Sequence, residues 1–123
     1  MLTALLVALS LTTATPATKT VTSAANGNTV AIDRGQRLDI DLSECGSCGY
    51  QWKTTGRPDR KVLKRRPNTH KDPTCAPPCT GGSDTVVFHY KGRAAGRTTI
   101  RLGYFGPGRS KPSKTFRLTV RVR

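Results

Sequence analysis

The chain has 123 residues, one domain's worth, and carries 21 Lys+Arg against 7 Asp+Glu, a formal net charge of +14. Apolar residues make up 35% and aromatics 6%, with 12 Gly, 8 Pro and 4 Cys. These figures exclude a multidomain enzyme, a polytopic membrane protein and a coiled coil, but not a fold, because the apolar residues fall in short alternating runs able to bury a modest core.

Residues 1–11 read MLTALLVALSL, uncharged and apolar. The run is shorter than the roughly 20 residues a spanning helix needs. Small residues and Pro16 follow it, which is the order of a secretory signal peptide over residues 1–17 ahead of a domain over 18–123. The usual basic n-region is missing, since Met1 leads directly into Leu2, so either the start lies further upstream or the signal is atypical. The alternative is a buried N-terminal strand or helix. Export predicts a secreted, envelope or periplasmic location. Every charged residue lies beyond residue 17, so the domain would keep the full +14.

From Thr18 onward the apolar period is 2. Leu38, Ile40 and Leu42 alternate with Arg37, Asp39 and Asp41; Val86, Phe88 and Tyr90 with Thr85, Val87 and His89. Ile100, Leu102 and Tyr104 alternate with Thr99, Arg101 and Gly103; Phe116, Leu118, Val120 and Val122 with Arg117, Thr119, Arg121 and Arg123. Each run lays one apolar row on one face of a strand. Weaker strands are predicted over 19–24, 29–33, 50–54 and 61–64, with Gly, Asn and Pro turn signals between them. Seven or eight short strands imply an all-β, antiparallel two-layer sandwich or barrel. Residues 65–82 lack periodicity, contain Pro67, Pro73, Pro77 and Pro78, and are expected to form one long irregular loop.

The cysteines form two tight pairs, Cys45 with Cys48 and Cys75 with Cys79. Structural disulfides of an exported domain are the leading reading, with the connectivity open. A four-Cys zinc site and a redox Cys45/Cys48 pair compete with it, the latter wanting a helix that the sequence does not offer. Between Arg57 and Lys71 only Asp59 opposes Arg57, Arg60, Lys61, Lys64, Arg65, Arg66 and Lys71. This cluster is either a footprint for a polyanion or anionic surface, or a solvated face. The aromatics are too few for base stacking, and no specific nucleic-acid motif is present. His70 and His89 are the only histidines, and His89, on a polar phase, reads as an exposed strand residue. No nucleophile elbow, phosphate loop or zinc-protease motif occurs, so an enzyme is not expected, and neither is a metal or cofactor.

One pattern goes beyond composition. Residues 42–52, Leu-Ser-Glu-Cys-Gly-Ser-Cys-Gly-Tyr-Gln-Trp, resemble the Asn-Pro-Thr-Thr-Gly-aromatic-x-Trp region of chagasin-type inhibitors of cysteine peptidases. Gly49, Tyr50 and Trp52 match, Ser47 stands at the first Thr, and Cys45, Gly46 and Cys48 replace Asn, Pro and the second Thr. Gly81-Gly82 opening a strand, then Arg93-Ala94-Ala95-Gly96 and a strand ending Leu102-Gly103-Tyr104, are similar to the next elements in order. Of an Arg-Pro-Trp-like third loop only the Pro survives, in Gly106-Pro107-Gly108.

The resemblance implies an immunoglobulin-like antiparallel β-sandwich of 7–8 strands, acting as a monomer. Three loops at one end would enter the cleft of a papain-like cysteine peptidase and occlude it reversibly. The central loop would be Cys45, Gly46, Ser47, Cys48 and Gly49, with Ser47 nearest the catalytic thiol. Gly81 and Gly82 would flank it on one side, and Tyr104, Phe105, Gly106, Pro107 and Gly108 on the other. Neighbouring first and second loops would also allow a crosslink from Cys45 or Cys48 to Cys75 or Cys79. Loss of the Trp and Arg removes an aromatic anchor and a charged contact. The alternative is an exported basic binding module of the same fold, associating with anionic polymer or envelope and lacking a peptidase target.

Overall fold

The computed structural model describes residues 17–71 and 84–123. Residues 1–16 of the expected signal peptide, and Cys75, Cys79, Gly81 and Gly82, lie outside the described residues.

Eight strands form two four-stranded sheets. The first sheet, in the order β1-β3-β6-β5, contains β1 (Lys19–Thr22), β3 (Arg37–Glu44), β6 (Asp84–Gly92) and β5 (Leu63–Lys71). The second, in the order β2-β8-β7-β4, contains β2 (Thr29–Ile32), β8 (Lys114–Val122), β7 (Gly96–Phe105) and β4 (Gln51–Gly56). The alternating rows meet between them. Leu38, Ile40 and Leu42 of β3 and Val86, Phe88 and Tyr90 of β6 face Ile100, Leu102, Phe116, Leu118 and Val120 in one buried cluster. Hydrophobic burial of that interior is the main force closing the sandwich.

Two expectations are corrected. The sheets are mixed rather than antiparallel throughout, because β1 pairs with β3 and β2 with β8 in parallel. The N-terminal segment crosses from one sheet to the other through a short 3-10 turn, Ser23–Ala25, and lays one strand on an edge of each. Asn26 pins that crossing by accepting the Arg117 amide at 2.9 Å. Second, residues 65–71, expected to open an irregular loop, belong to β5, which runs to Lys71; residues 72–82 of that expectation lie outside the described residues. It is an edge strand, where one face and one side need no apolar partners, and Pro67 falls at its register shift between Arg66 and Thr69. Proline is tolerated at such a place because no ladder donor is missed.

His89 is also less exposed than its phase suggested, with 26% of its side chain accessible. Its Nδ1 lies 2.7 Å from Asp39 Oδ1 and its Nε2 2.7 Å from Thr69 Oγ1, so it ties β3, β6 and β5 together across the outer face.

The strand directions sort the connections into two poles. At one end lie the β1–β2, β3–β4, β5–β6 and β7–β8 connections; at the other lie β2–β3, β4–β5 and β6–β7. The second pole is laced by backbone bonds: Gly35 N–H to the Gly92 carbonyl at 2.9 Å, Gly92 N–H to Gln36 at 3.0 Å and Arg93 N–H to Val62 at 2.8 Å.

Tyr90 is fully buried, and burial pushes its phenol from 10.0 up to about 12, against the opposing pull of Arg65 and Thr54. The Thr54 hydroxyl lies beside it without completing a hydrogen bond, so both hydroxyls remain unpartnered. The folded chain keeps this proton up to about pH 12, whereas the unfolded chain releases it near pH 10. Stability should therefore be unaffected by this group below pH 10 and fall above it, at up to about 1.4 kcal/mol per pH unit. Tyr90→Phe should remove that slope and cost little at pH 7, as urea denaturation at pH 8 and pH 11 would measure.

Candidate functional site

The pole where β3 ends, β4 begins and the β7–β8 connection turns carries the first and third predicted loops. Residues 45–50 make a tight turn. Cys48 N–H donates to the Cys45 carbonyl at 3.2 Å and Gly49 N–H to Gly46 at 3.0 Å. Tyr50 N–H returns to the Cys45 carbonyl at 3.1 Å, closing the base. Gly49 holds φ +81°, the left-handed conformation for which glycine is suited.

The turn brings the Cys45 and Cys48 Cα atoms 5.2 Å apart, and the two form a disulfide. This corrects the crosslink envisaged from Cys45 or Cys48 to the second cysteine pair: the local turn satisfies both sulfurs within one loop. Neither remains a thiolate ligand for zinc, and the segment leads into β4 instead of the helix that a thioredoxin-like pair requires.

The loops touch. A Cβ placed on Gly49 would lie 2.8 Å from Pro107 Cγ, so the first and third loops are in direct contact. A Cβ on Gly46 would lie 3.3 Å from Asp84 Oδ2, at the start of β6, and one on Gly106 would lie 3.1 Å from the Tyr50 ring. Lys71 and Thr85 are register partners, so β5 ends and β6 begins at this pole.

Beneath the tips is an aromatic support. Tyr104 is 9% exposed, stacks on Tyr50 with centroids 5.1 Å apart and meets Trp52 at 4.9 Å. The Cys45 amide donates to the Tyr104 hydroxyl at 2.8 Å. Trp52 Nε1 donates to the Ser43 carbonyl at 2.9 Å, and the Trp52 amide donates to Glu44 Oε2 at 2.9 Å. Glu44 is 5% exposed, and its other oxygen lies 3.4 Å from His70 Nε2. A carboxylate ahead of a turn ordinarily caps it or offsets a neighbouring cation at the surface, whereas this one is buried. The signal was present, since Glu44 continues the inward phase of Leu38, Ile40 and Leu42.

The predicted residues therefore divide by depth. Gly46, Ser47, Cys48, Gly49, Pro107 and Gly108 are exposed at the tips; Cys45 and Phe105 are half-buried; Tyr104 and Gly106 are buried below them. Tyr104 thus sits as support for the first loop. Ser47 crowns the bridged turn, its Oγ 3.7 Å from Cys45 Sγ. The arrangement presents a stiff shape with an exposed hydroxyl at its apex. Glu44→Leu should leave the buried Trp52 amide unpaired and lower stability by about 1–3 kcal/mol, read by denaturant titration, with a changed Trp52 near-UV signal.

Comparison with known proteins agrees with this geometry. The family model for chagasin family peptidase inhibitor I42 matches residues 31–120. The chain is similar in structure to the cysteine protease inhibitor EhICP2 from Entamoeba histolytica, with TM-score 0.75 and 23% identity over 87% of this chain and 96% of that one. It is similar to amebosin, with TM-score 0.69 and 23% identity over 86% of this chain and 98% of that one. It is also similar to PbICP-C, whose structure is in complex with falcipain-2, with TM-score 0.57 and 21% identity over 86% and 91% of the two chains. No curated protein matches the chain in sequence. With the family matched over most of its length, the two-sheet fold in place and the first and third loops in contact, the chain belongs to the chagasin family of peptidase inhibitors and is not an enzyme.

Proposed function

We propose that this chain is a reversible inhibitor of papain-like cysteine peptidases, with the loops of residues 45–49 and 106–109 entering the active-site cleft and Ser47 approaching the catalytic thiol. The observation that carries the site is the contact of Gly49 with Pro107 above the Tyr104 support, which makes two tips one rigid wedge. A wedge already ordered before docking loses little conformational entropy on binding. Its backbone is also a poor substrate. A peptidase cleaves an extended strand, whereas residues 45–49 are folded back by two turn hydrogen bonds and the Cys45–Cys48 bond.

The third tip offers Pro107 between two glycines instead of a large aromatic anchor, followed by exposed Arg109 and Lys111. Anchors of that kind usually dominate interface energy, so dissociation is expected to be fast. The reading includes export through residues 1–17, because a disulfide persists in oxidising compartments and the bridged tip would be maintained there. One neighbouring fold is seen in complex with falcipain-2, which supports a peptidase as the partner.

Titration against papain and a cathepsin-L-like enzyme tests the reading. Inhibition should be reversible, and the chain should be recovered intact. Ser47→Arg, at an exposed apex, should weaken inhibition at least about tenfold with the thermal midpoint unchanged. Absence of inhibition at micromolar protein, or cleavage within residues 45–49, would refute it.

A further inference from the structure

At the pole away from the inhibitory loops, the end of β4, the β4–β5 connection and the start of β5 enclose a cavity of about 230 Å³. Its floor and wall include Pro58, Leu63 and Thr54, and its rim is Arg57, Arg60, Lys64, Arg65 and Arg93. A second depression adjoins it, sharing Arg60 and Arg93 and adding Lys61. Among the described residues none of these six cations takes part in an ion pair; the carboxylates of Asp33, Asp39, Asp41 and Glu44 pair elsewhere. Asp59, between Arg57 and Arg60, is occupied in its own turn, where its Oδ1 accepts the Lys61 amide at 2.9 Å. Like charges held this close oppose folding unless something neutralises them.

The site is also built. Arg93 is fixed through its amide to the Val62 carbonyl at 2.8 Å and through Nη1 to the Arg60 carbonyl at 3.2 Å. The Asp59 amide is held by Thr98 Oγ1 at 2.7 Å, which sets the start of the β4–β5 connection. Thr54 lines the cavity wall, its hydroxyl lying beside that of the buried Tyr90. A cleft with apolar walls focuses the field of its rim far more than a flat face does. The arginines on the outer face of the second sheet, by contrast, lie in flat cross-strand register, Arg101 opposite Arg117.

We infer that this pole binds a linear polyanion bearing sulfate or phosphate groups and lacking bases, one group seated in the cavity and the next between Arg60 and Arg93. Guanidinium forks match tetrahedral oxyanions in a bidentate way. The two adjoining depressions favour a chain with repeated charges over a single ion. Tyr90 is buried behind this pole and no aromatic lines either depression, so bases have nothing to stack on. Val62, Leu63 and Pro58 are buried, so no apolar wedge is offered to a membrane.

The experiment is calorimetric titration of the whole protein with a heparin-derived octasaccharide and, separately, with inorganic polyphosphate, at several salt concentrations. Binding to either polymer supports the inference and identifies its source of oxyanions; binding to neither overturns it. Affinity should fall with salt at a slope reporting about four or five released counterions, and Arg65→Gln should reduce that slope by about one. The exposed triple change Arg57→Gln, Arg60→Gln, Arg65→Gln should weaken binding at least tenfold. The same loss of charge at the other pole, Arg109→Gln, Lys111→Gln, Lys114→Gln, should alter it less than about threefold at 150 mM salt, because that pole lies beyond the screening length. Equal loss in both variants would show only net charge and overturn the site, as would equal affinity for a single-stranded oligonucleotide or for anionic vesicles.

Discussion

The hydroxyl of Tyr104 accepts the amide of Cys45, and the working end of the molecule depends on that bond. Tyr104 is the penultimate residue of β7, just before the third loop; Cys45 opens the first. Tyr104 belongs to the second sheet and Cys45 follows β3 of the first, so the bond fixes the separation of the sheets at the pole where the loops emerge. Tyr50 and Trp52 pack around the same ring, and Glu44 receives the Trp52 amide from the facing sheet. Burying a carboxylate is unfavourable unless its hydrogen bonds are met, and here they anchor the start of β4 to the end of β3 across the two sheets. The tips can then be short and rich in glycine, since the order is supplied from underneath.

Much of this was legible from residue order. The runs at Leu38–Ile40–Leu42, Val86–Phe88–Tyr90, Ile100–Leu102–Tyr104 and Phe116–Leu118–Val120–Val122 became the four central strands, because a strand buried on one face must alternate. The strand over 63–71 was invisible beyond Lys64 for the converse reason. At an edge, cations and a proline are tolerated and no apolar row is needed. The parallel edges were hidden too, since pairing of β1 with β3 depends on where the chain crosses between layers and leaves no local signature. The resemblance located the first loop, but the partner of Cys45 followed from a turn whose closeness only three dimensions reveal. Glu44 could have been found by extending the alternation by one step.

The ten residues of β7 separate the two poles by roughly 30 Å. That exceeds the distance over which exposed charges influence one another at physiological salt. The wedge and the basic cavity are thus electrically independent, although both are braced by the same core. Such a plan lets one end specialise in shape and the other in charge without compromise between them, and a polymer held at one end would leave the other unobstructed.

The exposed side of β5 has a consequence of its own. A bare sheet margin is a template on which another polypeptide can add itself, the first step toward fibrous deposits. Here that margin carries Lys64, Arg65, Arg66 and Lys71, and Pro67 interrupts its row of donors at the register shift. An incoming strand would meet repulsion and a missing hydrogen bond at once. The residues that concealed this strand from pattern reading are the ones that keep it from being copied.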